Sequence, residues 1–437
     1  MNNMKKLLVS LVMAAFASPI FAQMTLEQIE GLIKSNPKAA QKEATKYFKK
    51  NKKDVNAVID LANLFVKAED FKSAEDFAQM ILAVNPKSPE VHLFLGDLRY
   101  RQDDGGAAAS EYEQAVNAAP TDTTAYIKYA NIYKDKFPDQ AKQMLERMGQ
   151  NCKGVNVQRL IADMYYRGNH PAEAAKAYAA CDMASLTESD LANYVFSLSL
   201  GTKDFNKAIE VCKVAGAKYP DNVAFKRFEI YNLTDLKQFA EADSLATPFF
   251  ANENYEKSFL DYIYYGYALK GVRKYEESLA AFNKAYEMND KRIDALSAIA
   301  DVYSYMDNPT KAIEYYKQFM DKSENTTGTM IAQLGNYYFE LAQDFSQADN
   351  QEEATTNAQE ADKYFAQAIE RTPNFYMNYL YRGRNAMIYD KEAALGYLTK
   401  SLELSNGSAP QGVVNLINKY IKQCQPEDAA AAEEVTE

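Results

Sequence analysis

The prolines Pro86 and Pro120, and the small residues Ala62, Gly96 and Ala130, recur at intervals of 34 residues. A fixed period of this size marks a repeat array, in which each short unit buries its apolar side against the next. The stretch "VIDLANLFVKAEDFKSAEDFAQMILAVNP", Val58 to Pro86, displays one unit. Apolar residues return at helical spacing through Val58, Leu61, Ala62 and Phe65, and a turn follows at "AEDF". A second helical run then passes Ala74, Ala78 and Ile81 and ends at Pro86. The unit is a helix–turn–helix closed by proline.

The outline returns along the chain. First halves recur at His92, Leu95 and Gly96, at Tyr126, Tyr129, Ala130 and Tyr133, and at Ile161, Ala162 and Tyr165. Others are Tyr262, Tyr265, Gly266 and Leu269; Ala300 and Tyr303; Leu334, Gly335 and Tyr338; and Tyr379, Arg382, Gly383 and Ala386. Second halves include Ala108, Tyr112, Ala115 and Pro120, and Ala361, Phe365, Ala368 and Pro373. This pattern resembles the tetratricopeptide repeat (TPR), and about ten units cover residues 54–405. The resemblance implies an all-α fold, an α-α superhelix or TPR solenoid of helix–turn–helix repeats with helical caps. The Ala or Gly of each first helix lets the second approach closely. Pro171 and Pro309 suit helix starts, where a missing N–H costs nothing.

Two regions depart from the pattern. Around 188–220 and 223–250 the register is ambiguous by one residue, and "LANYVFSL" fits best with Leu191, Tyr194, Val195 and Leu198 as framework, which lengthens the turn by one. Between Gly335 and Ala361 the spacing is 26 where 12 is usual, so "LAQDFSQADNQEEATTNAQ" is either a pair of lengthened helices or a protruding loop. Residues 23–53 are expected to form a leading helical cap, and 406–424, with "GVVNLINKYIKQC", a closing one. The tail 425–437, "QPEDAAAAEEVTE", reads as a solvated, disordered end.

The first 22 residues carry Lys5 and Lys6, an apolar run from Leu7 and a small-residue stop at Ala22, the layout of a cleavable secretory signal. Processing before Gln23 resembles exported proteins of the Bacteroidota and implies a periplasmic location; secretion is the other destination such a signal serves. No later stretch is long and apolar enough for a bilayer. The formal charge of −11, with no Lys/Arg-rich run, argues against a nucleic-acid groove. There is no phosphate loop, no dinucleotide fingerprint and no zinc spacing among Cys152, Cys181, Cys212 and Cys424. Whether Cys181 and Cys212 meet is open. Only two histidines exist, His92 at a packing position and His170 as an exposed cap residue, so neither a metal site nor a His-based triad is supplied. The expectation is a non-enzymatic chain with no cofactor, no metal and no small-molecule substrate.

In the resembled family each first helix lines a concave groove that holds peptides or helices. The residue after each small position is then a groove residue: Asn63, Asp97, Asn131, Asp163, Tyr267, Asp301, Asn336 and Arg384. Further along the same helices come Tyr100, Tyr166, Lys270, Tyr305 and Phe339. Ile59, Leu93 and Ile127 stand where some chaperone-binding members place lysines, so a terminal-carboxylate clamp is not expected. A ladder of amides and acids would suit a basic extended chain. In "DYIYYGYALKG", at about 100° per residue, Tyr262, Tyr265, Gly266 and Leu269 share the framework face, and Tyr264 and Tyr267 fall opposite, toward the groove. Two functions remain: an envelope scaffold that binds a protein segment, or a carbohydrate-binding module like repeat-built sugar-capture proteins. The latter carry a lipid-anchor cysteine, large insertions and exposed tryptophans, which favours the scaffold here, since this chain has no Trp.

Overall fold

Each repeat starts and stops its helices by local chemistry. Asp54 caps the helix Val55–Lys67 through the Ala57 N–H, and Asp70 caps Phe71–Leu82 through the Ser73 N–H. Between the two, Glu69 takes φ 61°, and the Asp70 N–H donates to the Phe65 carbonyl at 2.9 Å. This closure satisfies a carbonyl that the helix end would otherwise leave bare. It recurs at Asp103, Asn169, Lys203, Lys237, Arg273, Asp307 and Asp349, whose φ values lie between 54° and 63°. The left-handed residue is never glycine at these turns. The next helix begins one or two residues later, so the angle between the helices is set within a few bonds.

The computed structural model describes residues 24–425. The signal sequence expected at 1–22 lies outside the described residues, as does all of the expected tail beyond Gln425. Among the described residues there are twenty-three α-helices and no strand. The chain divides into two compact units, one ending at Asp204 and the other starting at Phe205.

The first unit opens with α1 (Leu26–Ser35) and α2 (Pro37–Asn51). Four antiparallel pairs follow: α3 (Val55–Lys67) with α4 (Phe71–Leu82), α5 (Pro89–Arg101) with α6 (Gly105–Ala118), α7 (Thr123–Tyr133) with α8 (Pro138–Asn151), and α9 (Val157–Arg167) with α10 (Pro171–Ala179). It closes with α11 (Glu188–Ser197), which runs into a π turn at Leu198–Thr202. Leu191, Tyr194, Val195 and Leu198 are all buried, as the shifted register requires, and the π turn absorbs the additional residue.

The second unit begins with α12 (Phe205–Lys218). Its pairs are α13 (Val223–Asp235) with α14 (Phe239–Ala251), α15 (Phe259–Gly271) with α16 (Tyr275–Met288), and α17 (Asp294–Tyr305) with α18 (Pro309–Lys322). The last two are α19 (Gly328–Gln347) with α20 (Gln351–Arg371), and α21 (Tyr376–Ala386) with α22 (Lys391–Ser405), capped by α23 (Gln411–Cys424). The long spacing before Ala361 resolves as lengthened helices, of 20 and 21 residues, and not as a loop. Ala342, Ala354, Ala358 and Ala361 are fully buried between them, so an alanine seam holds the additional turns together. Each unit is an α-solenoid, with every helix packed against its neighbours in sequence.

The core is built where a large second-helix residue lies over the small first-helix one. A Cβ added to Gly266 would meet the Phe282 ring at 2.6 Å, one on Gly335 the Phe365 ring at 2.8 Å, and one on Gly383 the Leu398 side chain at 2.7 Å. At Gly96 it would run into the Tyr112 ring. The histidines serve packing. His92 Nδ1 pairs with Glu111 at 2.7 Å. His170 is half-buried, not exposed as expected, because its Nε2 bonds the Asp135 carbonyl at 3.1 Å and its ring meets the Tyr165 edge. All four cysteines are free thiols, Cys152, Cys212 and Cys424 buried and Cys181 half-buried.

Gly266→Ala should lower stability by about 1–2 kcal/mol, since overpacking costs about 1–3 and helix propensity returns up to about 1. Gly216, in α12, has open space around its Cβ position, and Gly216→Ala should raise stability by about 0.5–1 kcal/mol. Thermal melting of both variants checks the pair, and equal shifts in one direction would contradict the packing described. Exposed Arg273 holds φ 63°, and Arg273→Gly should stabilise by about 0.5–1 kcal/mol by removing a left-handed Cβ. A lowered melting temperature would count against that strain.

Candidate binding groove

Within each unit the first helices of successive repeats lie side by side, so the residue after each small position recurs along one wall of that unit. In the first unit, Asn63 and Asp97 line a cavity of about 330 Å³ together with Ile59, Leu93, Arg101 and Lys128. Asp97 and Asn131 line the next, of about 270 Å³, with Tyr100, Tyr112, Lys134 and Arg167. Asp97 and Lys128 line both cavities, which therefore adjoin at this ion pair, with residues of α3, α5, α7 and α9 along their walls. Asp163 faces Arg167 at 3.6 Å on α9, and Tyr166 meets Phe196 edge-on at 5.7 Å.

The acids of this wall are not free. Tyr112 donates its hydroxyl to Asp97 Oδ1 at 2.7 Å, and Lys128 Nζ donates to the same oxygen at 2.7 Å. In the second unit, Tyr337 donates to Asp301 Oδ1 at 2.6 Å while Lys270 Nζ lies 3.4 Å from Oδ2. Lys270 also sits over the Tyr267 ring at 5.2 Å and the Tyr305 ring at 5.7 Å, which gathers Tyr267, Asp301 and Tyr305 around one ammonium. The acids of the ladder are held in ion pairs and are not open acceptors, which removes the reason to expect a basic occupant along it.

The cations had a signal in the sequence. Asp97 and Lys128 are 31 residues apart, as are Lys270 and Asp301. That is one 34-residue repeat less three, close to one helical turn, so it places the two charges side by side on adjacent first helices. Arg159 and Asp190 repeat the spacing, at 3.1 Å, with the Asp190 side chain almost wholly buried.

Asn336 and Arg384 come together, the guanidinium donating to Asn336 Oδ1 at 3.2 Å. The same guanidinium lies 4.1 Å from the Phe339 ring centre, and its buried Nε has no acceptor among the described residues. Burial lowers its pKa from the ordinary arginine value. Beside it, burial raises the Glu340 carboxyl, which accepts from Ser304 Oγ at 2.7 Å.

The four tyrosines of α15 do not divide into a core pair and a groove pair. All are partly buried, while Ile263, Gly266, Ala268 and Leu269 supply the buried face. Tyr265 stacks on Phe250 at 4.3 Å, and Tyr262 meets the same ring edge-on at 5.1 Å. Tyr264 stacks on Tyr231 at 4.1 Å, and Tyr267 meets Phe282 at 5.0 Å. Burial pushes the Tyr267 phenol up to about 12 and raises that of Tyr264 as well. The helix touches its own partner α16, the preceding α14 and the first helices α13 and α17 on either side, which leaves its tyrosines half-buried and not open. Among the described residues no His, Cys, Asp or Glu cluster could hold a metal, and no helix is long and apolar enough to cross a membrane.

Two stretches match profiles of the tetratricopeptide repeat, residues 59–123 and 295–328. No curated protein matches the chain. Among solved structures, it is similar to the C-terminal part of a TPR repeat-containing protein from Cytophaga hutchinsonii, at 18% identity over 55% of this chain and 98% of that one, TM-score 0.41. A tetratricopeptide repeat protein from Parabacteroides merdae aligns at 14% identity over 72% of this chain and 98% of that one, TM-score 0.38. Yeast Tom70 aligns at 11% identity over 94% and 98%, TM-score 0.39.

Tyr267→Ala should cost about 2–4 kcal/mol, somewhat below the loss of a fully buried aromatic. Tyr264→Ala should cost about 1–2 kcal/mol through its lost stack and buried area. Tyr305, with 63% of its surface exposed, should be replaceable by Ala within about 0.5 kcal/mol. Denaturant melts of the three variants test this order, and Tyr264 and Tyr267 variants as stable as the parent would restore the two-faced reading.

Proposed function

Because this chain is a tetratricopeptide-repeat protein, and such repeats are protein-binding scaffolds, we propose that it is an exported, non-enzymatic scaffold of the cell envelope. It holds an extended segment of another protein along the wall of its first helices, in assembly, secretion or folding. The succession of adjoining cavities from Asn63 through Asp97 to Asn131 carries this reading. Its length suits a chain rather than a small molecule, and its walls mix apolar side chains such as Ile59 and Leu93 with hydrogen-bonding ones. The groove residues of the second unit, Tyr267, Asp301, Tyr305, Asn336 and Arg384, together with Tyr264 and the first unit's Asp163 and Tyr166, are candidate contacts of the same kind. The basic residues and apolar run before Ala22 support export, with the periplasm as the destination.

A photo-crosslinking residue placed at Tyr100 or Tyr305 in living cells should give a discrete protein adduct. Val84, equally exposed but on the loop after α4, should not. Adducts of the same pattern from all three positions, or retained glycan with no protein, would sink the scaffold. Sequencing of the envelope-fraction protein should begin at Gln23, and an intact Met1 would overturn export by cleavage.

A further inference from the structure

The groove of the first unit has a charge opposite to that of its chain. The protein carries a formal charge of −11, yet the two adjoining cavities are lined by Arg101, Lys128, Lys134 and Arg167 against only two carboxylates, Glu90 and Asp97. Asp97 is held by Lys128 and a tyrosine hydroxyl, so it offers a ligand little negative charge. Of the other cations, exposed Arg101 has no acidic partner among the described residues. Lys134 meets the Asp135 carboxylate at 3.3 Å and the Asn131 carbonyl at 3.3 Å, and Arg167 meets the local carboxylate of Asp163 at 3.6 Å. Pairs of that kind are worth little in water and exchange readily for a better-placed acid. A helix C-terminus favours cations on its own account, which explains one such residue per helix. It does not explain why they line two adjoining cavities, one of them shared with Tyr100, a residue 59% exposed.

We propose that this groove takes an extended acidic segment of the partner protein, with its side-chain carboxylates meeting the row Arg101, Lys134 and Arg167. This rests on the scaffold reading above and adds the chemistry of the occupant. The row has a register, because the three cations are 33 residues apart and so stand at the C-terminal ends of successive first helices, Arg101 ending α5, Lys134 capping α7 and Arg167 ending α9. Helices standing side by side are about 10 Å apart, and a chain in the polyproline II form advances about 3.1 Å per residue with three residues per turn, so every third side chain returns to one face. The matching segment therefore carries an acid at about every third position, with side chains able to cover Tyr100 between them. Because side chains make the contacts, a free terminal carboxylate is not needed.

The test uses the full chain and labelled twelve-residue peptides with amidated ends, read by fluorescence anisotropy. A peptide with Glu at every third position should bind, and more weakly as salt rises. The same residues with the acids clustered at one end should bind less well. Arg101→Ala with Arg167→Ala should weaken binding about tenfold at unchanged melting temperature, and Arg101→Lys with Arg167→Lys should keep most of it. Equal binding of a Lys peptide, indifference to the alanine pair, or tighter binding of a single-stranded oligonucleotide would overturn the proposal. The two readings fail separately. A partner crosslinked at Tyr100 through a basic segment removes the acidic assignment and leaves the scaffold, whereas no protein adduct at any groove position removes the scaffold itself.

Discussion

The contact on which the rest depends is a ring laid on a bare backbone. Where Phe282 covers Gly266, and Phe365 covers Gly335, the second helix comes closer than any side chain at the small position would allow. That approach sets the spacing of each pair, and the spacing decides which residues of the first helix reach the next repeat. The lateral ion pairs follow from it. Lys128 can meet Asp97, and Lys270 can meet Asp301, only because neighbouring first helices are held side by side at nearly the same height. Core and groove are thus two sides of one constraint.

Much of the architecture was legible in the sequence because it is periodic. Val58, Leu61, Ala62 and Phe65 are buried as their spacing implies, and "LANYVFSL" resolved its register by the burial of Leu191, Tyr194, Val195 and Leu198. The turns were less legible. A left-handed residue is usually sought as glycine, and here Glu69, Lys203, Lys237 and Arg273 take that conformation. The surrounding closure, with its backbone hydrogen bond to the preceding helix, imposes the conformation against local preference.

The groove was legible by position but not by charge state. Asn63, Asp97 and Asn131 do fall along one wall, yet nothing near Asp97 in the chain reveals that Lys128 neutralises it. Reading acids singly made the wall look acidic, and reading Asp97 with Lys128, one repeat less a turn away, leaves the pair neutral. The tyrosines of α15 misled for a related reason. A helical wheel supposes one buried face, whereas a first helix in a solenoid has a partner helix and two flanking first helices, and Tyr264 and Tyr267 are occupied by the contacts a wheel leaves out.

The lengthened pair α19 and α20 bears on how the second unit comes apart. In a linear array, local stability is the sum of what each repeat buries within itself and against its neighbours. The additional turns give this pair a longer alanine-lined interface of its own, and its far end also ties down the following turn, where Gln351 donates to the Ile388 carbonyl at 3.2 Å and Asn385 to that of Ala358 at 2.7 Å. The tip at residues 346–353 is exposed, so protection from solvent exchange is expected along the alanine seam and not at the tip. A chain whose work is to hold another chain has, in this hairpin, a fixed post from which the repeats on either side can fray and re-form.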